Sequence, residues 1–277
     1  CSTTNPQLVF DVGTPISQHG VYSSIEIIGG NPVISYQNGD TGDLRFLSCT
    51  APDCSTFNAP ITLVSTDIVG LYGEIGINGN GFPVIAYIND TTDRLNFIAC
   101  TAVDCSTTNA PIVLDATTNT RMYLDMTINS LGNPLITYWN FGDLALNAIR
   151  CTAPDCSTAD APVVILDNPV AVGQTPSVII NSLGQPVISY EFGGDAVPVN
   201  DLAVFTERAP RVSSTIPLDN ATNVAVNSNI DIVFDENVTV TGASFTLDCT
   251  VSGAGVPFVL SGSGATYTLN PVADLAV

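Results

Sequence analysis

The sequence contains no lysine and a single histidine, His19, and its six arginines face 26 aspartates and glutamates. Without lysine there is no Schiff base, no amine nucleophile and no Lys-Asn isopeptide crosslink. A Ser-His-Asp triad needs a histidine poised as base, and His19 stands before the first apolar run with no motif around it, so it reads as a solvated loop residue. The formal net charge of −20 repels phosphate backbones and anionic lipid, which excludes nucleic acid as a partner and reads as solubility outside the cell. Long apolar runs are missing too. Gly, Pro, Asn and Thr interrupt every stretch well short of the roughly 20 residues of a spanning helix, so no membrane insertion is expected. With 45% hydrophobic and only 12% charged residues, the chain still has ample apolar surface for a core.

What is present is repetition. Asn31-Pro32-Val33-Ile34-Ser35-Tyr36 returns as Phe82-Pro83-Val84-Ile85-Ala86-Tyr87, Asn133-Pro134-Leu135-Ile136-Thr137-Tyr138 and Gln185-Pro186-Val187-Ile188-Ser189-Tyr190, the prolines advancing by 51, 51 and 52 residues. Each unit holds four short runs rich in β-branched residues. In the second these are 59–64, 70–77, 83–87 and 95–100, separated by turn residues at hairpin spacing. Such a four-stranded sheet, apolar throughout, cannot bury both faces alone and must pack against copies of itself, which predicts a β-propeller of four four-stranded blades. Residues 1–10 match the outer-strand phrase 105–114, so the chain opens on the last strand of a unit. If the ring closes within the chain, strand 7–12 completes the fourth blade.

Six of the eight cysteines fall in the phrase Cys-Thr-Ala-x-Asp-Cys, as Cys49 and Cys54, Cys100 and Cys105, and Cys151 and Cys156. A zinc site would need a further ligand pair, commonly with histidine, so three local disulfides are expected. Each closes a six-residue loop worth about 2 kcal/mol and implies an oxidising compartment. Cys1 and Cys249 have no obvious partners, as expected of a piece of a longer polypeptide whose other parts hold the matching cysteines; alternatively they could pair with each other, or Cys1 could carry a lipid.

The hairpin phrase, the Gly-Leu-Tyr-like start of the inner strand, the Asp-Leu strand and the Cys-x4-Cys turn together resemble a family of bacterial extracellular propeller repeats over residues 1 to 207. The resemblance implies the architecture and little about activity. Departures are Thr175, where the other units have Tyr22, Tyr72 and Tyr123, and Glu207, where a first cysteine would stand. From Arg208 the pattern changes. Ser214-Thr215-Ile216-Pro217, Ala221-Thr222-Asn223-Val224 and Phe234-Asp235-Glu236-Asn237-Val238 resemble a bacterial Ig-like domain of the surface-layer and adhesin type, with Ile230, Ile232 and Phe234 alternating against polar Asp231 and Asp235. Residues 208–277 are therefore expected to form an all-β Ig-like sandwich, and an incomplete one, because a seven-stranded sandwich takes roughly 100 residues.

Candidate chemistry is confined to the inner strands. Glu74 and Asp125 hold equivalent positions in adjacent units and could approach each other at the mouth of the axis, as the paired carboxylates of glycosidases do. Carboxylates also occupy inner strands because that side is wet. Tyr22, Tyr72 and Tyr123 could stack on sugars or pack between sheets. No cluster of axial arginines of the sialidase kind is present, since the six arginines share no repeat position. The segments 38–43 and 89–93 offer oxygen ligands that could suit calcium, but Asx turns account for them, and no cofactor is expected. Asn89, Asn220 and Asn237 begin glycosylation sequons.

The sequence therefore predicts a non-enzymatic, extracellular or cell-surface structural or adhesive protein, which its β edges could assemble head to tail as a subunit of an extracellular fibre. Its expected partners are other copies of itself or other surface proteins, with glycans as a further candidate. The alternative is a lectin or glycoside hydrolase acting at the propeller axis.

Overall fold

Alternating apolar and polar residues between turn signals build short antiparallel strands in a computed structural model of the chain. The structure describes all residues except 1–7, 12–17, 118–121, 167–172, 194–200, 208–209, 236, 249–254 and 273–277. The expectations for Cys1, Cys249 and Arg121 thus lie outside the described residues. Two compact units result, Cys1–Glu207 and Arg208–Val277.

The first unit is a β-propeller. Blade 1 pairs β1 (His19–Ile28), β2 (Asn31–Asn38), β3 (Asp43–Ser48) and β4 (Ile61–Val64) in that order. Blade 2 follows with β5 (Leu71–Ile77), β6 (Pro83–Asn89), β7 (Arg94–Ala99) and β8 (Ile112–Asp115), and blade 3 with β9 (Met122–Ile128), β10 (Pro134–Asn140), β11 (Ala145–Arg150) and β12 (Val163–Leu166). Blade 4 has β13 (Gln174–Ile180), β14 (Pro186–Phe192) and β15 (Asp201–Thr206) among the described residues, in keeping with a fourth unit that ends without its own outer strand.

The repeat phrases act locally. Each repeat proline stands at or next to the start of its strand, where a missing N–H is harmless, and its carbonyl accepts a hydrogen bond from the end of the third strand. Cys49, Cys100 and Cys151 donate to Pro32, Pro83 and Pro134 at 2.9 Å, and Glu207 donates to Pro186 at 3.3 Å. Between the first two strands, the side chains of Asn78, Asn129 and Asn181 each accept from backbone N–H groups two and four residues on, at 2.9 to 3.1 Å. Blade 1 replaces this loop with Gly29-Gly30, both at positive φ, the two-residue turn that glycine permits.

The three short-range disulfides form, Cys49 to Cys54, Cys100 to Cys105 and Cys151 to Cys156, with Cα atoms 5.0, 4.9 and 4.9 Å apart. Their second cysteines, Cys54, Cys105 and Cys156, take positive φ of 56°, 52° and 52°, which bends each turn back on itself. Cys156 is 3% exposed and, with Cys151, packs into the apolar seam between blades 2 and 3, so this crosslink is also core. Cys100 and Cys105 are placed likewise in the seam between blades 1 and 2.

The core lies between blades, not within them. Val33, Leu44 and Phe46 of blade 1 meet Ile75, Ile85, Tyr87 and Ile98 of blade 2. Ala86, Leu95 and Phe97 of blade 2 meet Met126, Ile136 and Tyr138 of blade 3, and Leu135, Leu146 and Ala148 of blade 3 meet Val178, Ile188 and Tyr190 of blade 4.

Inner strands follow the same succession, β1 on β5, β5 on β9 and β9 on β13, but β13 and β1 share no comparable interface. The four blades form an open arc. Its two end faces carry apolar residues that are buried in every interior blade. Ile25 is 60% exposed where its equivalent Ile75 is 4%, and Leu202 is 82% exposed where Leu95 is 0%.

Residues 8–11 lie against the free face of blade 1. Phe10 joins the buried cluster of Tyr36, Leu47, Cys49 and Cys54, and Asp11 accepts a hydrogen bond from the Tyr36 hydroxyl at 2.7 Å. They pair with no strand of blade 4, so the described residues do not close the ring.

The second unit is a four-stranded sheet of β16 (Val212–Ile216), β17 (Ile230–Phe234), β18 (Phe258–Ser263) and β19 (Thr266–Pro271), ordered β16-β17-β19-β18. Ile232, Tyr267 and Leu269 are its buried apolar residues, and the Tyr267 hydroxyl ties the sheet to the Val238 carbonyl at 2.6 Å. Among the described residues no helix is long and apolar enough to cross a membrane.

Candidate functional site at the mouth of the axis

Each inner strand begins with the same backbone irregularity. Tyr22, Tyr72, Tyr123 and Thr175 adopt positive φ of 50°, 51°, 49° and 47°, and the strand pairing shifts register beside each of them. These are β-bulges held in a left-handed conformation that non-glycine residues rarely adopt, a device found where a side chain is re-aimed and often at functional sites. Here the bulge gathers the three tyrosines into a ladder. Tyr22 and Tyr72 have ring centroids 4.6 Å apart, and Tyr72 and Tyr123 5.3 Å. With Ser23, Gly73, Glu74, Leu124, Thr175 and Pro176 they line a cavity of about 270 Å³.

Two residues beyond each bulge stands Ser24, Glu74, Asp125 or Ser177. Asp125 is committed to the frame. Its Oδ1 accepts from the Met126 N–H at 2.9 Å and its Oδ2 from the Val178 N–H of blade 4 at 2.6 Å. Ser24 bridges in the same way between blades 1 and 2, its hydroxyl accepting from the Ile75 N–H at 3.3 Å and donating to Glu74 Oε2 at 2.7 Å.

Glu74 is the exception in this series, because among the described residues Ser24 is its only side-chain hydrogen-bond partner. Burial raises its pKa to about 7; the Ser24 hydrogen bond opposes the shift and the nearby Asp125 carboxylate adds to it. Near neutral pH this carboxyl is divided between its acid and base forms. Burial, reinforced by its tyrosine neighbours, also pushes Tyr72 up to about 12, so the middle rung stays a neutral hydrogen-bond donor.

The structure thus places Tyr22, Tyr72, Tyr123 and Glu74 around one cavity and Asp125 close enough to Glu74 to act on it electrostatically. Sequence reasoning treated Glu74 and Asp125 as an equivalent pair, whereas the hydrogen bonds divide their roles. It missed Ser24 and the bulge itself. A signal existed for the latter: Gly20, Gly70 and Gly173, all at positive φ, stand two residues before Tyr22, Tyr72 and Thr175.

Other candidates fall away from the mouth. The six disulfide cysteines, Cys49, Cys54, Cys100, Cys105, Cys151 and Cys156, are buried in their turns and line no wall of this cavity. His19 is not a solvated loop residue. It opens β1, with Nδ1 3.1 Å from Asp11 and Nε2 3.4 Å from Asp40. The Asn38 side chain accepts from the Asp40 N–H at 3.0 Å and the Asn89 side chain from the Thr92 N–H at 3.1 Å, as Asx turns do. No group of three or more His, Cys, Asp or Glu is placed to hold a metal among the described residues. Asn89 is buried and its amide donates to Asp67, which removes that sequon from modification. Tyr87, Tyr138 and Tyr190 are buried between blades, and Tyr36 is buried beneath Phe10 on the free face of blade 1.

Comparison with known proteins bears on both units. Residues 206–277 match the family model for the bacterial Ig-like domain. No curated protein matches the chain. Among solved structures, an intramolecular trans-sialidase from Ruminococcus gnavus aligns with a TM-score of 0.50 and 11% identity, over 66% of this chain and 42% of that one. An α-L-arabinofuranosidase from Clostridium thermocellum gives 0.44 and 15%, over 66% and 67%. An exo-β-1,3-galactanase from Phanerochaete chrysosporium gives 0.49 and 11%, over 78% and 56%. The chain therefore spans 42 to 67% of these three proteins.

The trans-sialidase likeness supports the propeller fold. The expectation of a non-enzymatic protein is corrected by these comparisons to this extent, that the solved structures of similar fold are carbohydrate-active enzymes.

Proposed function

We propose that the mouth of the arc binds a glycan on its tyrosine ladder and cleaves it by general acid–base catalysis, with Glu74 as proton donor. The observation that carries this reading is the half-buried Glu74 carboxyl, its pKa raised to about 7, in the wall of the cavity that the tyrosine ladder lines. A glycosidic oxygen leaves only as it gains a proton, so the acid must be protonated yet willing to release near working pH. Asp125, held by two backbone N–H groups, acts from outside the cavity, its electrostatic effect on Glu74 helping to keep the Glu74 proton in place. Tyr22, Tyr72 and Tyr123 offer apolar faces for sugar rings and hydroxyls for their edges. The sequence-based reading of a surface protein enters here in its location: three disulfides and a bacterial Ig-like domain support an extracellular, cell-surface placement, where polysaccharide is at hand.

The test is turnover of a panel of aryl glycosides and plant or host glycans by the full chain. Glu74→Gln is expected to lower kcat/KM by on the order of 10²- to 10⁴-fold and to remove a limb of the pH–rate profile near pH 7. Tyr72→Ala is expected to raise KM. Turnover unchanged by Glu74→Gln, or a correctly folded chain that neither cleaves nor binds any glycan, overturns the proposal.

A further inference from the structure

The open arc ends in two halves of one interface. On blade 1, Ile25 and Ile27 are exposed, while Ile75 and Met126, the equivalents of Ile25, lie in interior contacts between blades. On blade 4, Ile179, Leu202 and Val204 are exposed, while Leu95 and Phe97, at the positions of Leu202 and Val204, are wholly buried against blade 3. The interior therefore shows three times over what covers each end face: the opposite end face of another blade.

A second observation fixes the register. Leu8–Asp11 aligns with the outer strand β8, Ile112–Asp115, and is seated as that strand is. Asp115 accepts a hydrogen bond from Tyr138 of the following blade at 2.5 Å, and Asp11 accepts one from Tyr36 at 2.7 Å. Leu8–Asp11 is thus seated on blade 1 as the outer strand of a preceding blade would be, yet pairs with no strand among the described residues. Blade 4 has the converse deficit, because β15 pairs with β14 and no outer strand follows it among the described residues.

We infer that this chain associates head to tail with a second copy of itself, the Leu8–Asp11 segment of one copy completing blade 4 of the next. In β7 and β8, Leu95 pairs with Asp115, Asn96 with Val113 and Phe97 with Ile112. By the same register Leu202 meets Asp11, Ala203 meets Val9 and Val204 meets Leu8. The added strand satisfies the free edge of β15, and the blade faces bury Ile25 and Ile27 against Leu202 and Val204. The contact is heterologous, so two copies whose arcs bring the remaining ends together close a ring, and otherwise the chain extends.

Sedimentation equilibrium of the full chain tests this, with variants at each end. Wild type is expected to form dimers or larger species as concentration rises. Ile25→Arg and Leu202→Arg, each spoiling one face, are each expected to weaken association on the order of a hundredfold or more by burying an unpaired charge. Mixed in equal amounts, they are expected to form a dimer and nothing larger, since one intact face remains on each; two misfolded variants could not restore it. A monomeric wild type at all concentrations, including one in which the two end faces of a single chain meet, overturns the inference. So does a mixture that stays monomeric. Neither outcome touches the reading of Glu74, which is tested by turnover.

Discussion

Glu74 shows what a single residue can do when the repeat places it out of character. The equivalent positions hold the frame through short hydrogen bonds or are serine, and only Glu74 is a carboxyl with a hydroxyl for company. Its pKa rises from 4.5 to about 7 on folding. The folded chain then holds a proton that the unfolded chain releases, so the native state has this stability in full below about pH 4.5 and loses it as pH climbs toward 7. Glu74→Gln, which mimics the protonated form, should match wild type in Tm near pH 4 and exceed it increasingly up to pH 8. A Tm difference that stays constant with pH would show that Glu74 titrates as an ordinary surface acid. The position of Glu74 was legible from the repeat alignment. Its difference from Asp125 was not, because that depends on which backbone N–H groups two adjacent blades present.

At the scale of the element, the phrases that recur in the sequence are the ones that hold strands to strands. The Cys-x4-Cys turns were legible because spacing and the scarcity of histidine left little else. Their placement was not, since spacing is silent on whether a turn faces water or a neighbouring sheet, and both the Cys100 to Cys105 and the Cys151 to Cys156 crosslinks end up in the seams between blades. Replacing Cys100 and Cys105 together with serine should lower unfolding stability in urea by at least about 2 kcal/mol, the loop-closure contribution alone. An unchanged midpoint would mean that the turn holds without its crosslink.

The bulges at Tyr22, Tyr72, Tyr123 and Thr175 were not legible in the periodicity, which reports which face a residue takes and not a local extra residue that turns one aside; only the glycines two residues before three of them gave a signal. Nor was the contact between loops of adjacent blades. The Gly79 N–H donates to the Gly132 carbonyl at 2.8 Å, and a Cβ on Gly132 would stand 2.2 Å from the Gly79 Cα, at a φ of +80°. Gly132→Ala should therefore destabilise the propeller by about 2 kcal/mol or more, read as a lowered urea midpoint. A neutral substitution would show that these loops move apart freely.

Across the whole propeller, four-bladed repetition was legible to within a few residues, but closure was not. A sequence repeat states that blades pack on blades and is silent on the angle between them, and that angle decides whether the fourth meets the first. The arc nonetheless does what the functional reading needs, because β1, β5 and β9 lie side by side and bring Tyr22, Tyr72 and Tyr123 into one ladder over Glu74. Chemistry thus arises from the order of the blades, with one carboxyl in the second and its electrostatic partner in the third.

The most direct measurement is a carbon-13 NMR titration of the Glu74 side-chain carboxyl in the intact chain, which needs no substrate to be known. The account predicts a midpoint near pH 7 that falls when Ile75 and the neighbouring blade faces are opened to water, for example by Ile75→Ser. A midpoint near 4.5, the ordinary value for such a carboxyl, would contradict it, leaving the cavity with no group able to donate a proton at neutral pH.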